Sequence, residues 1–279
     1  PTSVALFASL LSGIPFSLTA HAKDIYTSDP RQLKEKITLA RFEVTCTEYN
    51  RQYLQAVTNG AQTPVFRNYH GIDLDLFAAA GTLPIRQDPP YRLLTVARMT
   101  AKKGLPTVYH ALKIMHEQGV RFSHRLIGDG DDRDTILRLI RRLGLDSVTE
   151  WCGTLPHGKV LEHYRETDLF LLGCEIAANG DRDGIPNVLM ESMAMGVPIL
   201  ATRTSAIPEL VTDGRTGILV APGDPAEMAR AAIALLKDSD LRTRLAAAGR
   251  EEVNRKFHNK TLVSDLASIY RRMIPGIDA

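Results

Sequence analysis

The chain has 279 residues, which is enough for two domains of modest size. Its 34 basic and 32 acidic residues give a formal net charge of +2, a near balance that argues against a dedicated nucleic-acid-binding protein, which would carry a basic stripe. The hydrophobic content of 44% is ordinary for a soluble globular protein, and no apolar run of about 18 residues predicts a membrane-spanning helix.

The three cysteines, Cys46, Cys152 and Cys174, are far apart and form neither a CxxC pair nor a zinc-binding spacing. They are therefore predicted to be small core residues in a reducing compartment, which favours the cytoplasm. The opening PTSVALFASLLSGIPF resembles the apolar part of a signal peptide, but it lacks a basic start and runs directly into strand-like sequence. We expect instead a chain that starts inside a domain.

Up to residue 80 the patterns predict helices at 4–11, 31–39 and 48–57 and strands at 15–20, 41–46 and 63–68. His21 follows the first of these strands, and open α/β sheets bind ligands at such carboxyl ends. A loop histidine bonded to the backbone is the alternative for His21. The next stretch, Ala78 to Pro90, is rich in Ala, Gly and Pro without periodicity and is predicted to be a linker.

Beyond the linker the alternation becomes regular, with strands at 91–97, 124–127, 148–151, 168–172, 197–201 and 217–220. The predicted helices lie at 106–118, 132–143, 159–166, 186–195, 207–211, 224–237, 241–257 and 261–273. Strands alternating with helices indicate βαβ units and a parallel sheet, so the fold class is α/β. Six strands make a complete doubly wound domain at 91–257, whereas three make an incomplete one at 1–80. A terminal helix, 258–279, is predicted to pack back on the first domain.

The helix predicted at 186–195 is apolar on nearly all sides, and Glu191 is the one charged residue in it. A helix of this kind is buried, and a buried carboxylate requires a hydrogen-bonding partner. No Lys or Arg lies three or four positions away to supply one. Asp183 is a second acid eight positions earlier, so the pair predicts a site for hydroxyl groups beside a phosphate site. An ordinary helix with a solvent-facing Glu191 is an equally open alternative.

Two cations follow the first strand after the linker, in the stretch VARMTAKKG. Arg98 presents a planar fork of donors and Lys103 a compact positive charge, which are the two ways in which proteins hold phosphate oxygens. At the carboxyl end of a strand they suit a diphosphate. A solvated turn with loose lysines is the alternative.

Glycines follow the next strand, at Gly128 and Gly130, but the third glycine of a dinucleotide fingerprint is absent and the loop is not in the first βα unit. A dehydrogenase is therefore disfavoured, although glycines still allow a ligand close to the backbone. The strand after that ends in Trp151-Cys152-Gly153-Thr154, which is predicted to form a slot for a planar base. The cations, the glycines, the predicted base slot and the pair of acids are thus predicted to lie at successive strand ends of one sheet.

Six stretches, in this order, resemble one family: SLTAHAKDIY, NYHGIDLDLF, VARMTAKKG, LIGDGDDR, DGIPNVLMESMAMGVPILAT and IPELVTDGRTGILVAPGD. Together they are similar to the retaining glycosyltransferases of the fourth glycosyltransferase family, with the GT-B fold of two Rossmann-like domains facing across a cleft. The wording of HAKDIY and DGIPNVLMESMA resembles enzymes of bacterial exopolysaccharide assembly. The resemblance runs from about Phe16 to Tyr270 and implies that the first domain is incomplete.

The resemblance implies a role for each matching residue. Arg98 and Lys103 match the cations on the donor's diphosphate, and Glu191 matches the acid that binds the ribose hydroxyls. Asp183 stands where the family usually has a Glu that holds the transferred sugar, and it is one methylene shorter. His21 matches a histidine that faces the cleft near the reacting carbon. The phosphate-facing turn at the helix amino end matches Gly184, Ile185, Pro186, Asn187 and Val188.

The function implied is transfer of a sugar from a nucleoside-diphosphate sugar to a hydroxyl acceptor with retention, without a bound metal or other cofactor. A lipid-linked acceptor would imply contact with the inner face of the cytoplasmic membrane. Two other classes stay open on the sequence: a nucleotide-sugar epimerase, and a non-catalytic module that binds nucleotide sugars. The family's glycine-rich opening loop is not in this chain, which places the activity of the chain itself in question.

Overall fold

A computed structural model gives the fold and describes residues 2–80 and 86–274. The strands are β1 (Leu18–Ala20), β2 (Glu43–Thr45), β3 (Val65–Arg67), β4 (Tyr91–Val96), β5 (Phe122–Ile127), β6 (Thr149–Trp151), β7 (Leu169–Leu172), β8 (Ile199–Thr202) and β9 (Ile218–Val220). The α-helices are α1 (Thr2–Ser12), α2 (Ala22–Tyr26), α3 (Pro30–Leu39), α4 (Glu48–Thr58), α5 (Leu105–Glu117), α6 (Arg133–Arg142), α7 (His157–Arg165), α8 (Asn187–Ala194), α9 (Ile207–Leu210), α10 (Pro225–Lys237), α11 (Ser239–Lys256) and α12 (Asn259–Met273). Short 3-10 helices span Leu74–Ala80 and Ala101–Lys103.

The strands form two parallel sheets, which confirms the predicted α/β class. The larger sheet has the order β6-β5-β4-β7-β8-β9. Numbered within that sheet, this order is 3-2-1-4-5-6, which is the doubly wound arrangement of nucleotide-binding folds. The direction of winding reverses between β4 and β7. In such sheets the crevice at the carboxyl ends of these two strands is where a ligand binds.

The sequence of the larger sheet explains why its strands are central. The residues of β7 (LFLL) and of β8 (ILAT) are all buried, as expected for parallel strands that are covered by helices on both faces. Their side chains join those of α5, α8 and α10 in one continuous hydrophobic core. This core holds the crevice between β4 and β7 in a fixed geometry.

The smaller sheet has the order β1-β2-β3 and a separate, smaller core that includes Ile25, Ile37 and Leu54. Helix α1 leaves several apolar side chains exposed on this side of the molecule, among them Phe7 and Leu11. The apolar sequence of α1 is therefore only partly used in packing among the described residues.

The carboxyl ends of the two sheets face each other and are in contact. Gly184, in the loop after β7, lies so close to Thr47 that an added Cβ would stand 3.2 Å from the Thr47 methyl carbon. Arg182 in the same loop stacks over the ring of Tyr26, with 4.0 Å from its guanidinium carbon to the ring centroid. Helix α12 also contacts the smaller sheet, where Tyr270 meets Phe42 edge to face at 5.1 Å between ring centroids.

The structure corrects the predicted elements at several points. The strand predicted at 15–20 is limited to β1, and α2 has no counterpart among the predicted elements. Its amino end is stabilised by the Asp24 carboxylate, which accepts a hydrogen bond from the His21 N–H at 3.3 Å. The predicted linker begins inside the 3-10 helix Leu74–Ala80, and its residues 81–85, like residues 275–279 of the predicted terminal helix, lie outside the described residues. The predicted domain limits stay a prediction.

The chain's apolar segments do not include a membrane span in the part that the structure describes. None of its helices combines the length and the apolar character that crossing a bilayer requires.

Candidate active site

A cavity of about 410 Å³ opens at the carboxyl ends of β4 and β5, next to the point where the winding reverses. This volume lies in the range of ligand pockets. Its lining is divided by chemistry. One part is apolar and includes Ile127, Leu155 and Val160, whereas another part carries the cations of Arg98 and Lys103. The cavity can therefore hold a ligand with a flat apolar portion joined to an anionic one.

The two predicted cations both line this cavity, but they differ in exposure and in ion pairing. Arg98 is exposed at the wall, and no carboxylate within residues 2–80 and 86–274 forms an ion pair with it. Lys103 is largely buried, and its Nζ lies 2.6 Å from Oδ2 of Asp183. Arg98 is thus available to an anion, whereas the Lys103 ammonium already pairs with a carboxylate.

Asp183 belongs to a cluster of two lysines and two aspartates, which we call the Lys-Asp cluster. It consists of Lys102, Lys103, Asp181 and Asp183. The Nζ of Lys102 lies 3.1 Å from Asp181 Oδ1 and 3.5 Å from Asp183 Oδ1. The four side chains are only 9–18% exposed. Two positive and two negative charges balance, so the cluster is neutral despite its burial, as buried charges require.

Cys174 lies under the same cluster, at the end of β7. Its thiol donates to Oδ2 of Asp183 at 3.5 Å, and burial raises the pKa of this thiol, with the charge of Asp183 adding to the effect. Cys174 is therefore a neutral donor that supports the carboxylate, and its burial agrees with the core position predicted for it. Cys46 and Cys152 are only partly buried, so the same prediction is not met for them.

Glu191 lies on α8 with 17% of its side chain exposed, close to the buried setting predicted from the helix pattern. Burial is the main cause that raises its pKa above the usual value. Its partners come from α7: the hydroxyl of Tyr164 donates to Oε2 at 3.4 Å, and Nε2 of His157 lies 3.7 Å from Oε1. Sequence reasoning missed both residues, since they lie 27 and 34 positions away.

The amino end of α8 faces the cavity through Val188. The cap residue Pro186 has no side chain that can bond the first-turn amides, so the amides of Asn187 and Val188 remain available as donors. Such an end attracts anions because of these amides and the helix dipole. The Tyr164 hydroxyl also lies 3.1 Å from the Val188 carbonyl oxygen, so its single proton is shared between this carbonyl and Glu191.

The predicted glycines have different places. Gly128 lines the cavity at φ 128°, and an added Cβ would lie 2.1 Å from the Ala97 carbonyl oxygen, so no other residue fits there. Gly130 packs on the backbone of Met99 instead. Gly153 supports the loop through its carbonyl, which accepts from the Gly128 N–H at 2.8 Å. In the predicted base slot, Thr154 lines the cavity, whereas Trp151 donates from Nε1 to the Gly128 carbonyl at 2.9 Å.

His21 lies on the other side, at the carboxyl end of β1, where about half of its side chain is exposed. Its ring centroid is 5.0 Å from that of His70, which follows β3. Burial lowers the pKa of His70, with the neighbouring His21 as a second cause. The structure brings Arg98, Lys103, Gly128 and Val188 to one cavity, but His21 belongs to the opposite sheet.

Glu209 is a further residue that sequence reasoning missed. It lies on α9, and its carboxylate accepts hydrogen bonds from the backbone N–H groups of Glu48 and Tyr49 at 2.8 Å each, which are the first two residues of α4. The Tyr69 hydroxyl donates to the same carboxylate at 2.9 Å. In the sequence this residue looks like an acid in the first turn of a short helix. In the fold it connects the two sheets.

Comparison with known proteins adds a family. The profile of the family described as glycosyl transferases group 1 matches residues 84–252, more than half of the chain. The putative colanic acid biosynthesis glycosyltransferase WcaL of Escherichia coli K12 is 34% identical over 205 residues, which cover 73% of this chain and 50% of WcaL. The amylovoran biosynthesis glycosyltransferase AmsK of Erwinia amylovora is 34% identical over 66% of this chain and 45% of its own length. The chain thus spans about half the length of these relatives.

Among solved structures, HepE of Anabaena in complex with UDP and glucose superposes with a TM-score of 0.79. It is 19% identical, and the match covers 96% of this chain and 74% of HepE. At this identity the likeness shows the fold alone, and it confirms the GT-B arrangement predicted from the sequence.

Proposed function

Because the chain belongs to the glycosyl transferases group 1 family, we propose that it transfers a sugar from a nucleoside-diphosphate sugar to a hydroxyl acceptor with retention of configuration. The observation that carries this proposal is the cavity of about 410 Å³ at the carboxyl ends of β4 and β5, where Arg98 and Lys103 meet the amino end of α8. Two cations and a helix amino end together match the charge of a diphosphate.

The other parts of the donor, which are the nucleobase, the ribose and the sugar, would occupy the cavity and its surroundings according to the chemistry of the lining. The apolar part near Leu155 and Val160 suits the faces of a nucleobase. Glu191 lies one helical turn beyond Val188, and its carboxylate would accept hydrogen bonds from the ribose hydroxyls. Tyr164 and His157 hold this carboxylate in place. Once Lys103 turns to the phosphate, the Asp183 carboxylate would be free to bind a hydroxyl of the sugar. Asp183 would thus take this role although it is one methylene shorter than the Glu that is usual at this position of the family.

In the proposed reaction, the bond between the anomeric carbon and the diphosphate oxygen breaks, and negative charge builds up on the leaving diphosphate. Arg98, Lys103 and the amides at the start of α8 would stabilise that charge, which is how fixed donors accelerate group transfer. No metal or other cofactor is part of the proposal, since these groups supply the positive charge. His21 would face the reacting carbon from the acceptor side.

The names of WcaL and AmsK support a place in exopolysaccharide assembly. We propose a cytoplasmic enzyme whose acceptor is a growing glycan, with peripheral contact to the membrane if that glycan is lipid-linked. No specific observation favours an epimerase.

The first experiment is a thermal-shift and calorimetric panel of UDP, GDP, ADP and their sugar derivatives. One of the three nucleoside diphosphates should bind, and a hundredfold excess over its dissociation constant should stabilise the chain by about 2.7 kcal/mol. The variant Lys103→Met should weaken binding of that diphosphate by about tenfold or more, because a hydrogen bond to a charged group contributes roughly 1.5–3 kcal/mol.

The matched control is Lys260→Met, since the Lys260 side chain is 68% exposed on α12 and pairs with Asp75, away from the cavity. It should bind like the unmodified chain. The proposed donor site is wrong if none of the three diphosphates binds, or if both lysine variants bind equally well. Incubation with the matching nucleotide sugar and a glycan acceptor, followed by NMR of the product anomer, then tests transfer and retention. Binding without transfer would favour the non-catalytic module, and an epimer formed without acceptor would favour the isomerase.

A further inference from the structure

Two adjacent lysines end the turn after β4, yet they have different surroundings. Lys103 lines the cavity, whereas Lys102 points toward the loop after β7 and bonds Asp181 at 3.1 Å. Both belong to one short 3-10 helix, Ala101–Lys103, in which successive side chains point in directions about a third of a turn apart. Lys103 therefore borders the cavity as well as pairing with Asp183, whereas Lys102 is directed to the loop after β7.

Lys102 is buried, and its charge serves to pair with carboxylates of the protein. The whole residue is 7% exposed and its side chain 9%, which is rare for a lysine and requires compensating carboxylates. Asp181 and Asp183 provide them. The backbone is fixed as well, since the Lys102 carbonyl accepts from the Glu175 N–H at 3.0 Å. Lys102 is thus anchored to the β7 loop on both its main chain and its side chain.

Asp183 has two cationic partners, Lys102 and Lys103, and Lys103 is also the lysine proposed to bind the diphosphate. Its shorter ion pair is with Lys103, at 2.6 Å, and its longer one is with Lys102, at 3.5 Å. A diphosphate in the cavity would carry more negative charge than Asp183 and would draw the Lys103 ammonium away from that carboxylate. Without Lys102 that departure would leave two largely buried aspartates unpaired, at a high electrostatic cost.

We propose that Lys102, held by Asp181, is a positioning residue that keeps Asp183 paired and oriented while Lys103 moves to the diphosphate. The inference rests on the proposed function, since it assumes a diphosphate ligand at Lys103. Lys102 itself does not touch the ligand. It acts by supplying one of the two positive charges of the Lys-Asp cluster, so that one negative charge and not two remains beside the diphosphate when Lys103 turns away from Asp183.

The test compares Lys102→Met with Asp181→Asn, using whichever of UDP, GDP and ADP binds the unmodified chain most tightly. Methionine keeps the buried stem of the lysine and removes only its charge. Lys102→Met leaves the cluster with a net negative charge, which repels the diphosphate. We expect diphosphate binding to weaken by about tenfold, because the Coulomb energy of one extra charge a few ångströms away in a partly buried site is of that order. Asp181→Asn removes a negative charge instead and should strengthen diphosphate binding several-fold.

The double variant Lys102→Met/Asp181→Asn restores neutrality and should recover most of the lost affinity. Lys102→Arg should stay within about threefold of the unmodified chain, because the charge is retained. The control ligand is the corresponding nucleoside, which has no phosphate. Its binding, monitored by saturation-transfer NMR, should be the same for all variants. A general structural defect would weaken nucleoside and diphosphate together, so this ligand separates positioning from misfolding.

The proposal is overturned if Lys102→Met binds the diphosphate as tightly as the unmodified chain, or if Asp181→Asn weakens binding as Lys102→Met does. It is also overturned if the double variant is no better than Lys102→Met. In each of these cases the unmodified chain still binds, and the proposed donor site stands. If the unmodified chain binds none of the three diphosphates, the proposed function and this inference fail together.

Discussion

The two sheets of the molecule bury charge in opposite ways. At the rim of the larger sheet, the Lys-Asp cluster balances two lysines against two aspartates. In the middle of the smaller sheet, Glu43 is fully buried on β2, and neither of its carboxylate oxygens has a hydrogen-bond partner among residues 2–80 and 86–274. Its neighbours on the two adjacent strands are Leu18 and Val65. Burial raises the pKa of Glu43 to about 8, so this carboxyl stays protonated near neutral pH.

This difference shows what buried charge is used for in each region. Paired charges can exchange partners when an anionic ligand arrives, so changes at the rim should alter binding. An unpaired acid can only lose or retain its proton, so changes at Glu43 should alter stability. The following variants test that separation.

Gly104→Ala should have the largest effect, because it disturbs the backbone that orients both lysines. Gly104 follows Lys103 with φ 57°, and an added Cβ would lie 1.7 Å from the Gly173 carbonyl oxygen at the end of β7. The backbone would have to move, which should cost more than about 3 kcal/mol of unfolding free energy. Urea denaturation and calorimetry should show lower stability together with lost diphosphate binding.

The control for that variant is Gly119→Ala. Gly119 has a similar φ of 75°, but an added Cβ would meet no atom within 4 Å. It should cost only about 1 kcal/mol, the backbone penalty of a left-handed residue. Equal losses in the two variants would show that the close contact with Gly173 does not matter.

Glu43→Leu should have the next largest effect and the opposite sign. Replacing a buried ionisable group by an apolar side chain is often stabilising, here by about 1–3 kcal/mol. The pH dependence follows from the raised pKa. Below the ordinary value of 4.5 the acid is protonated in both states, and between 4.5 and about 8 only the unfolded chain loses the proton. The stability contributed by the protonated group is therefore lost as pH rises through this window, by up to roughly 1.4 kcal/mol per pH unit.

Urea denaturation at several pH values between 5 and 8 checks this prediction. The unmodified chain should lose stability as pH rises, and Glu43→Leu should lose much less. Glu35→Gln serves as the control, since Glu35 is exposed on α3. An unchanged pH profile in Glu43→Leu would contradict a protonated buried acid. Diphosphate binding at pH 7 should be the same in both variants and the unmodified chain.

Glu209→Gln should have the smallest effect, and it tests the contact between the two regions. The substitution keeps an acceptor oxygen for the α4 amides but removes the charge that favours a helix amino end. We expect a loss of about 1 kcal/mol in unfolding free energy. Glu251→Gln, at an exposed site on α11, should show no loss. Equal stability of the two variants would mean that the carboxylate at α4 carries no charge-dependent stabilisation.

Much of the fold could be predicted because its signals are local. Alternating strands and helices after residue 90, an apolar helix around Glu191 and the N-cap Thr47 all depend on neighbours in sequence. Thr47 accepts from the Asn50 N–H at 3.1 Å, as its position before a helix predicts. The order in which cations, glycines and acids follow successive strands also placed Arg98, Lys103 and Gly128 at one rim.

The partners of these residues could not be predicted in the same way. Glu191 obtains Tyr164 and His157 from a helix that only the sheet order places beside α8. Lys102 looks like a solvated lysine next to Lys103. No local pattern separates the two lysines, and the Nζ atoms of both reach Asp183 in the folded chain.

The sequence by itself determined the α/β alternation, the doubly wound class and the residues at the strand ends, because periodicity and turn chemistry act over a few residues. Only the tertiary structure decided which charges meet. It paired Lys103 with Asp183, turned Lys102 to Asp181, and left the Glu43 carboxyl, among the residues that the structure describes, without a hydrogen-bond partner on a strand whose neighbours are Leu18 and Val65. The reason is physical: the energy of a charge depends on burial and on atoms within a few ångströms, and these come from segments distant in the chain.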